Sequence, residues 1–239
     1  MKKLTIVAAA AMALSSVFAE TGFSEKRGSV SPVGFSLAAP LQFPRIVDSV
    51  RGFRYNIFMA LNRDMAGLDL GLVGINTGWV QGLQINAFNW ANESVDALQI
   101  GTLANVTLDD VRAFQIGTFN IVRGDFAGLQ LGLVNVEDEF AGFQVGGLLN
   151  WNSADSFGAQ FGVGNANVEN FTGFSCGAVN WASEMTGFQL GVVNVAEHAT
   201  GLQIGVYNAV EDMDGVQIGC VNLICEGPLP VMTVVNANF

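Results

Sequence analysis

Carboxylates return at one place along this chain, between an asparagine and the next glycine. Glu137, Asp138, Glu139, Glu169, Glu184, Glu197, Glu211, Asp212 and Asp214 all fall there. Acids brought side by side repel, and a hard cation bridging them relieves the repulsion. Glu139, Glu169, Glu184, Glu197 and Glu211 are therefore the candidate ligands for calcium. The competing reading is a solvated acidic edge that keeps an apolar array in solution. The lack of any Asp-x-Asp-x-Asp-Gly loop favours that second reading. No other cofactor is expected.

Catalytic chemistry has little to stand on. His198 is the single histidine, beside Glu197 in a charged turn, and reads as a surface residue. There is no Gly-x-Ser-x-Gly nucleophile turn, and one histidine makes neither a triad nor a zinc site. The glycine-rich run at 142–147 is not followed by lysine, so it is no phosphate loop. Paired carboxylates in a long groove could hydrolyse glycans, but these acids repeat along the chain instead of converging. Repetition suits a scaffold or multivalent binder. We expect no enzyme and assign no catalytic residues. Cys220 and Cys225 are placed to form a disulfide across the last turn, and Cys176 reads as a small buried side chain.

The elements that carry these residues are set by an internal repeat. Thirteen asparagines recur at steps of 13 to 16 residues: Asn62, Asn76, Asn89, Asn105, Asn120, Asn135, Asn150, Asn165, Asn180, Asn194, Asn208, Asn222 and Asn236. A short period kept this long marks a repeat architecture. Gly201-Leu202-Gln203-Ile204-Gly205-Val206-Tyr207-Asn208 shows the unit. Eleven units start at Gly67, Gly82, Ala97, Ala113, Gly128, Gly142, Gly158, Gly173, Gly187, Gly201 and Gly215. Glutamine holds the third position except at Asp69 and Ser175, and glycine the fifth except at Asn86.

With the first glycine as offset zero, apolar residues favour offsets 1, 3, 6, 8 and about 12. That set has no 3.6-residue period, and the glycine and β-branched content argues against helix. The alternation breaks at glycines, where corners belong. The expected fold is all-β: a β-solenoid of 11–13 coils of 14–15 residues, stacked at about 4.8 Å around an apolar interior. Stacking puts like on like, so Asn120, Asn135, Asn150, Asn165, Asn180, Asn194, Asn208 and Asn222 should form an amide ladder, with a glutamine ladder beside it. The alternative is an antiparallel outer-membrane-type β-barrel of about 12 strands. The near-palindromic Gly-apolar-Gln-apolar-Gly core and the alternation ending at Phe239 favour it. Two tyrosines make a thin aromatic girdle, and uniformly short connections count against it.

The ends differ from the array. Lys2 and Lys3, the apolar run 4–14, and Val17 and Ala19 before Glu20 predict a signal peptide over residues 1–19. Residues 20–61, with Pro32, Pro40 and Pro44, read as an N-terminal cap; residues 62–224 as the array; residues 225–239, with Pro228 and Pro230, as a C-terminal cap. The chain carries a formal charge of −11, and no Lys or Arg follows Arg123. Nucleic acid is thereby disfavoured as a partner, and anionic lipid is repelled.

Gly128-Leu129-Gln130-Leu131-Gly132-Leu133-Val134-Asn135 and its neighbours, from Gly67 to Asn222, resemble the repeats of a bacterial surface-repeat family first named from spirochaete proteins. The resemblance implies an exported, surface-associated protein without enzymatic activity. Together with the repeat, the chain reads as a structural or adhesive element of the outer membrane or cell surface, with the periplasm as the other address, facing a surface or extracellular ligand. An integral outer-membrane barrel and an exported carbohydrate-active β-helix enzyme are the alternatives.

Overall fold

A computed structural model describes residues 28–239, so the signal peptide expected over residues 1–19 lies outside the described residues. Those residues form strand and turn, with no helix among them. The strands are β1 (Val30–Ala38), β2 (Leu41–Phe43), β3 (Ser49–Asn62), β4 (Met65–Leu70), β5 (Val73–Asn76), β6 (Val80–Ala91), β7 (Val95–Thr107), β8 (Val111–Val122), β9 (Asp125–Glu137), β10 (Glu139–Asn152), β11 (Ser156–Ile224) and β12 (Val231–Asn238). β11 is extended chain running without a break through several coils.

Consecutive units pair in parallel and in register. Gly142, Gln144 and Asn150 of β10 lie over Gly128, Gln130 and Asn135 of β9, and under Gly158, Gln160 and Asn165 of β11. The molecule is a β-solenoid, and the antiparallel barrel is overturned by this direction of pairing. Its regular part amounts to about nine turns, fewer than the 11–13 coils expected. The difference lies at the ends, where units are built otherwise. The first unit is split at Gly71 and Leu72, between β4 and β5, and the last is closed by β12, which pairs antiparallel to β11 and sets Asn236 against Gln217. Asn236 is thus no ladder member. β3 is already a coil, with Gly52 over Gly67 and Asn62 over Asn76, and β1 stacks parallel on its other edge, Val33 against Phe53 and Phe35 against Tyr55, so stacking begins at Val30.

Glycine sets the corners for two different reasons. Gly128 has φ of 144°, and a Cβ there would land on the Ala113 carbonyl of the coil below. The second glycine makes room. A Cβ on Gly132 would sit 2.6 Å from Asn135 Oδ1 and 2.8 Å from Asn120 Nδ2. This explains the Gly-x-x-Asn spacing: the small residue opens the corner that the asparagine amide fills.

The interior corrects the sequence reading. Four offsets face inward. They are the glutamine, the asparagine, the residue two before the first glycine, and the one two after the asparagine. Every Gln and Asn of the ladders is at most 1% exposed. The apolar part of the core fills the other two columns, such as Met65, Val80, Phe126 and Phe140 with Ala91 and Val122, and near the N-terminal end a further cluster, Ile75, Trp90, Ala104 and Val106, packs beside the asparagines. Leu202 and Ile204 are only half-buried, and Val206 and Tyr207 are exposed. Of the expected apolar set, offset 12 is inside along the array, and offset 8 only at Ile75 and Trp90. The bulge in pairing between the second glycine and the asparagine, as at Gly146/Leu149, shifts inward parity by one residue. Hydrophobic alternation does not reveal such a shift.

Candidate functional site

The amide ladders run in opposite directions. Asn120 Nδ2 donates forward to Asn135 Oδ1 at 2.9 Å and to the Leu131 carbonyl at 3.1 Å, which uses both of its hydrogens. The chain of forward bonds is continuous from Asn89 to Asn222. Glutamines donate backward instead, as from Gln115 to Gln99 at 2.7 Å. The backward chain ends on a carboxylate, Gln84 Nε2 reaching Asp69 Oδ2 at 3.1 Å. Asp69 also takes Arg54 Nη2 at 2.6 Å and Nε at 2.8 Å. Arg54 Nη1 donates to Asn62 and Asn76. These groups terminate the stack at its N-terminal end.

Midway, the interior turns polar. Glu137, Asn152 and Asn167 replace apolar residues in one column, and Ser156 replaces a phenylalanine in the other. The apolar core is split there into two clusters. Gln144 Nε2 donates to Glu137 Oε1, while Glu137 Oε2, Gln144 Oε1 and Asn152 Oδ1 have no partner. Burial, and then the nearby Asp138 charge, push the Glu137 carboxyl well above the usual carboxylate range. A neutral acid donating its proton to one of these oxygens satisfies two of the three orphans.

Outside, two surfaces contrast. The first is the side between the two glycine columns, holding offsets 1 and 3. All twenty-two of these positions from Leu68 to Ile218 are apolar. Ile85, Leu98, Ile116, Phe143, Leu190 and Ile218 are each 36–42% exposed. Phe143, Phe161, Phe174 and Phe188 form a continuous aromatic run with ring centroids 5.1–5.4 Å apart. Monomeric soluble proteins rarely show so large an apolar area.

The second surface is acidic. Asp110, Asp125, Glu139 and Asp155 stack on consecutive coils, bordering a groove of about 510 Å³ lined also by Arg112, Phe157 and Asn170. The Asp125 carboxylate, with Asp155, Asp110 and Glu169 beyond, lifts the Glu139 carboxyl above its ordinary value. The five candidate calcium ligands are not brought together. Glu139 and Glu184 sit three residues before their units' first glycines, with Asp155 and Asn170 between them; Glu169, Glu197 and Glu211 sit four before. Among the described residues, no three His, Cys, Asp or Glu side chains are grouped to hold a metal ion. Asp125 and Asp155 are the closer neighbours of Glu139, and reading whole columns of the repeat would have found them.

His198 is exposed, 4.0 Å from Asp212. Cys220 and Cys225 are separate free thiols, which corrects the expected disulfide. Both are exposed, on either side of the buried Asn222 and Ile224. Cys176 is half-buried on the apolar side.

No family model matches this chain, and no curated protein or solved structure matches it either.

Proposed function

We propose that the protein is an exported, non-catalytic surface element, a rigid β-solenoid with a structural or adhesive role at the outer membrane or cell surface. One observation carries the reading: the same outward apolar pair recurs on every coil, so the molecule repeats one surface instead of building one cleft. A repeated surface engages an extended partner through many equivalent weak contacts. The acids follow the same logic, spread along a ridge where they solvate the array. The leader-like residues 1–19 support export, and the repeat resemblance supports a surface address.

The test is fractionation of cells making the full chain, with protease added to intact cells. The expected result is cleavage from outside, and release from membranes by alkaline carbonate. Protection from protease in intact cells, with recovery in the cytosol, would reject the reading. Turnover on any member of a glycan panel would reject its non-catalytic part.

A further inference from the structure

We infer that the apolar side between the two glycine columns is covered by a second copy of this chain. The inference rests on the scaffold reading above and names its partner. About nine turns at ~4.8 Å, crossed by strands of about five residues at ~3.3 Å, give a side of roughly 700 Å² in plan. A standard stable interface takes about 800 Å² from each partner. The side bears no charged residue and no proline at any of its twenty-two outward positions. The glycine columns flank the apolar ridge as two shallow troughs. Two such surfaces pack as sheets do, about 10 Å apart.

Charge selects among occupants. The carboxylates lie around the corner, off this side, and the formal charge of the chain is −11. Anionic lipid is repelled by that field, and no Lys or Arg after Arg123 is present to hold headgroups. A second copy meets only uncharged surface. Pairing about a two-fold axis parallel to the stack sends the two acidic ridges to opposite rims, which keeps them beyond a Debye length of about 8 Å. Isologous pairing of one patch with itself is also the commonest symmetry among oligomers.

The experiment is sedimentation equilibrium of the full chain at micromolar concentration, with Phe174→Lys/Leu190→Lys as the interface variant. Val192→Lys/Val206→Lys, on the adjoining side, is the control. The wild type and the control are expected to sediment as dimers, and the interface variant as a monomer with unchanged far-ultraviolet circular dichroism. If that variant fails to fold, Leu98→Gln/Leu202→Gln replaces it, with the same dissociation expected. A monomeric wild type overturns the inference, whether or not it binds neutral phosphatidylcholine vesicles. Vesicle binding by a monomer would assign the side to lipid and leave the scaffold reading standing. A dimer that survives both interface variants overturns it too. A cytosolic location in the fractionation above removes the scaffold reading without touching the dimer.

Discussion

Arg54 and Asp69 face each other one coil apart, guanidinium to carboxylate at 2.6 Å, with side chains 1% and 0% exposed. They occupy the glutamine column, register partners in β3 and β4. Every glutamine between Gln84 and Gln144 donates toward this end, so the column delivers N–H groups onto a negative charge. Breaking a buried pair by removing one partner costs about 3–5 kcal/mol, because the other charge stays behind. Arg54→Met should therefore lower stability by about that much, and Arg54→Met/Asp69→Leu by less than the single change. Urea unfolding followed by circular dichroism measures both. Equal losses in the single and double variants would show that packing, not the stranded charge, sets the cost.

The asparagine ladder makes a second prediction. Asn135→Ala removes the acceptor of Asn120, the donor to Asn150 and the donor to the Val145 carbonyl. Each buried group left without a partner costs about 1–3 kcal/mol. A loss of roughly 2–4 kcal/mol is expected, against under about 0.5 kcal/mol for Val179→Ser, at offset 6 and on the exposed surface. The apolar residue would be the more sensitive of the two if the core were the hydrophobic one that the sequence pattern suggests.

That contrast marks how far the sequence could be read. Period, pairing partners and corner glycines were legible, because each repeats in register and needs only like-on-like stacking. The identity of the inside was not. Leu202 and Ile204 carry the strongest hydrophobic signal in their unit, yet Gln203 between them is the buried residue. A dry column of amides is stable only when the coil above presents the same amide, a condition local composition does not express. Arg54 had a signal that went unused. Gly52-Phe53-Arg54-Tyr55 fits the unit one repeat before Gly67, and this places Arg54 over the exceptional Asp69. Glu137 had a weaker one. Its place in an acidic run made it look like part of the ridge, although it lies two residues after Asn135, where Val122 and Ala182 occupy the interior in their own units.

Glu137 gives stability a pH dependence of definite sign. Its unfolded carboxyl titrates near the ordinary value of about 4.5, and the folded one titrates higher because burial penalises the charge. Folding therefore favours the protonated form. This contribution is fully present below about pH 4.5 and is lost as pH rises through the folded value. Glu137→Gln keeps an oxygen for Gln144 Nε2 and adds an amide donor for Asn152 Oδ1. At neutral pH it should raise stability by about 1–3 kcal/mol and flatten the decline. Melting temperatures from pH 4 to 8 for both proteins test this. Ridge repulsion at Glu139 has the same sign but is common to both, so the difference between the curves isolates Glu137. Parallel curves would place the cost elsewhere.

A gap in the glutamine column provides the last prediction, with the opposite direction. Ser175 sits between Gln160 and Gln189, and its hydroxyl turns away to Asn180 Oδ1 at 2.8 Å. It is too short to reach along the column. Gln189 Nε2, which by the rule of its neighbours should donate backward, is consequently buried without an acceptor. Gln203 and Gln217 resume the chain one coil later. Ser175→Gln restores the residue found in nine of the eleven units and gives Gln189 an acceptor. The expected gain is about 1 kcal/mol, offset in part by the lost Ser175 hydroxyl bond, and it should appear as a higher urea midpoint at unchanged slope. Gln160 decides whether the gain is larger. It is now in a mutual pair with Asn167, at 3.0 and 3.1 Å, and its Oε1 keeps a second lone pair that can accept from residue 175 where the pair's geometry leaves it open. A loss of stability would mean that the pair wins and that the column is tuned as two separate ladders, one on each side of the polar interior.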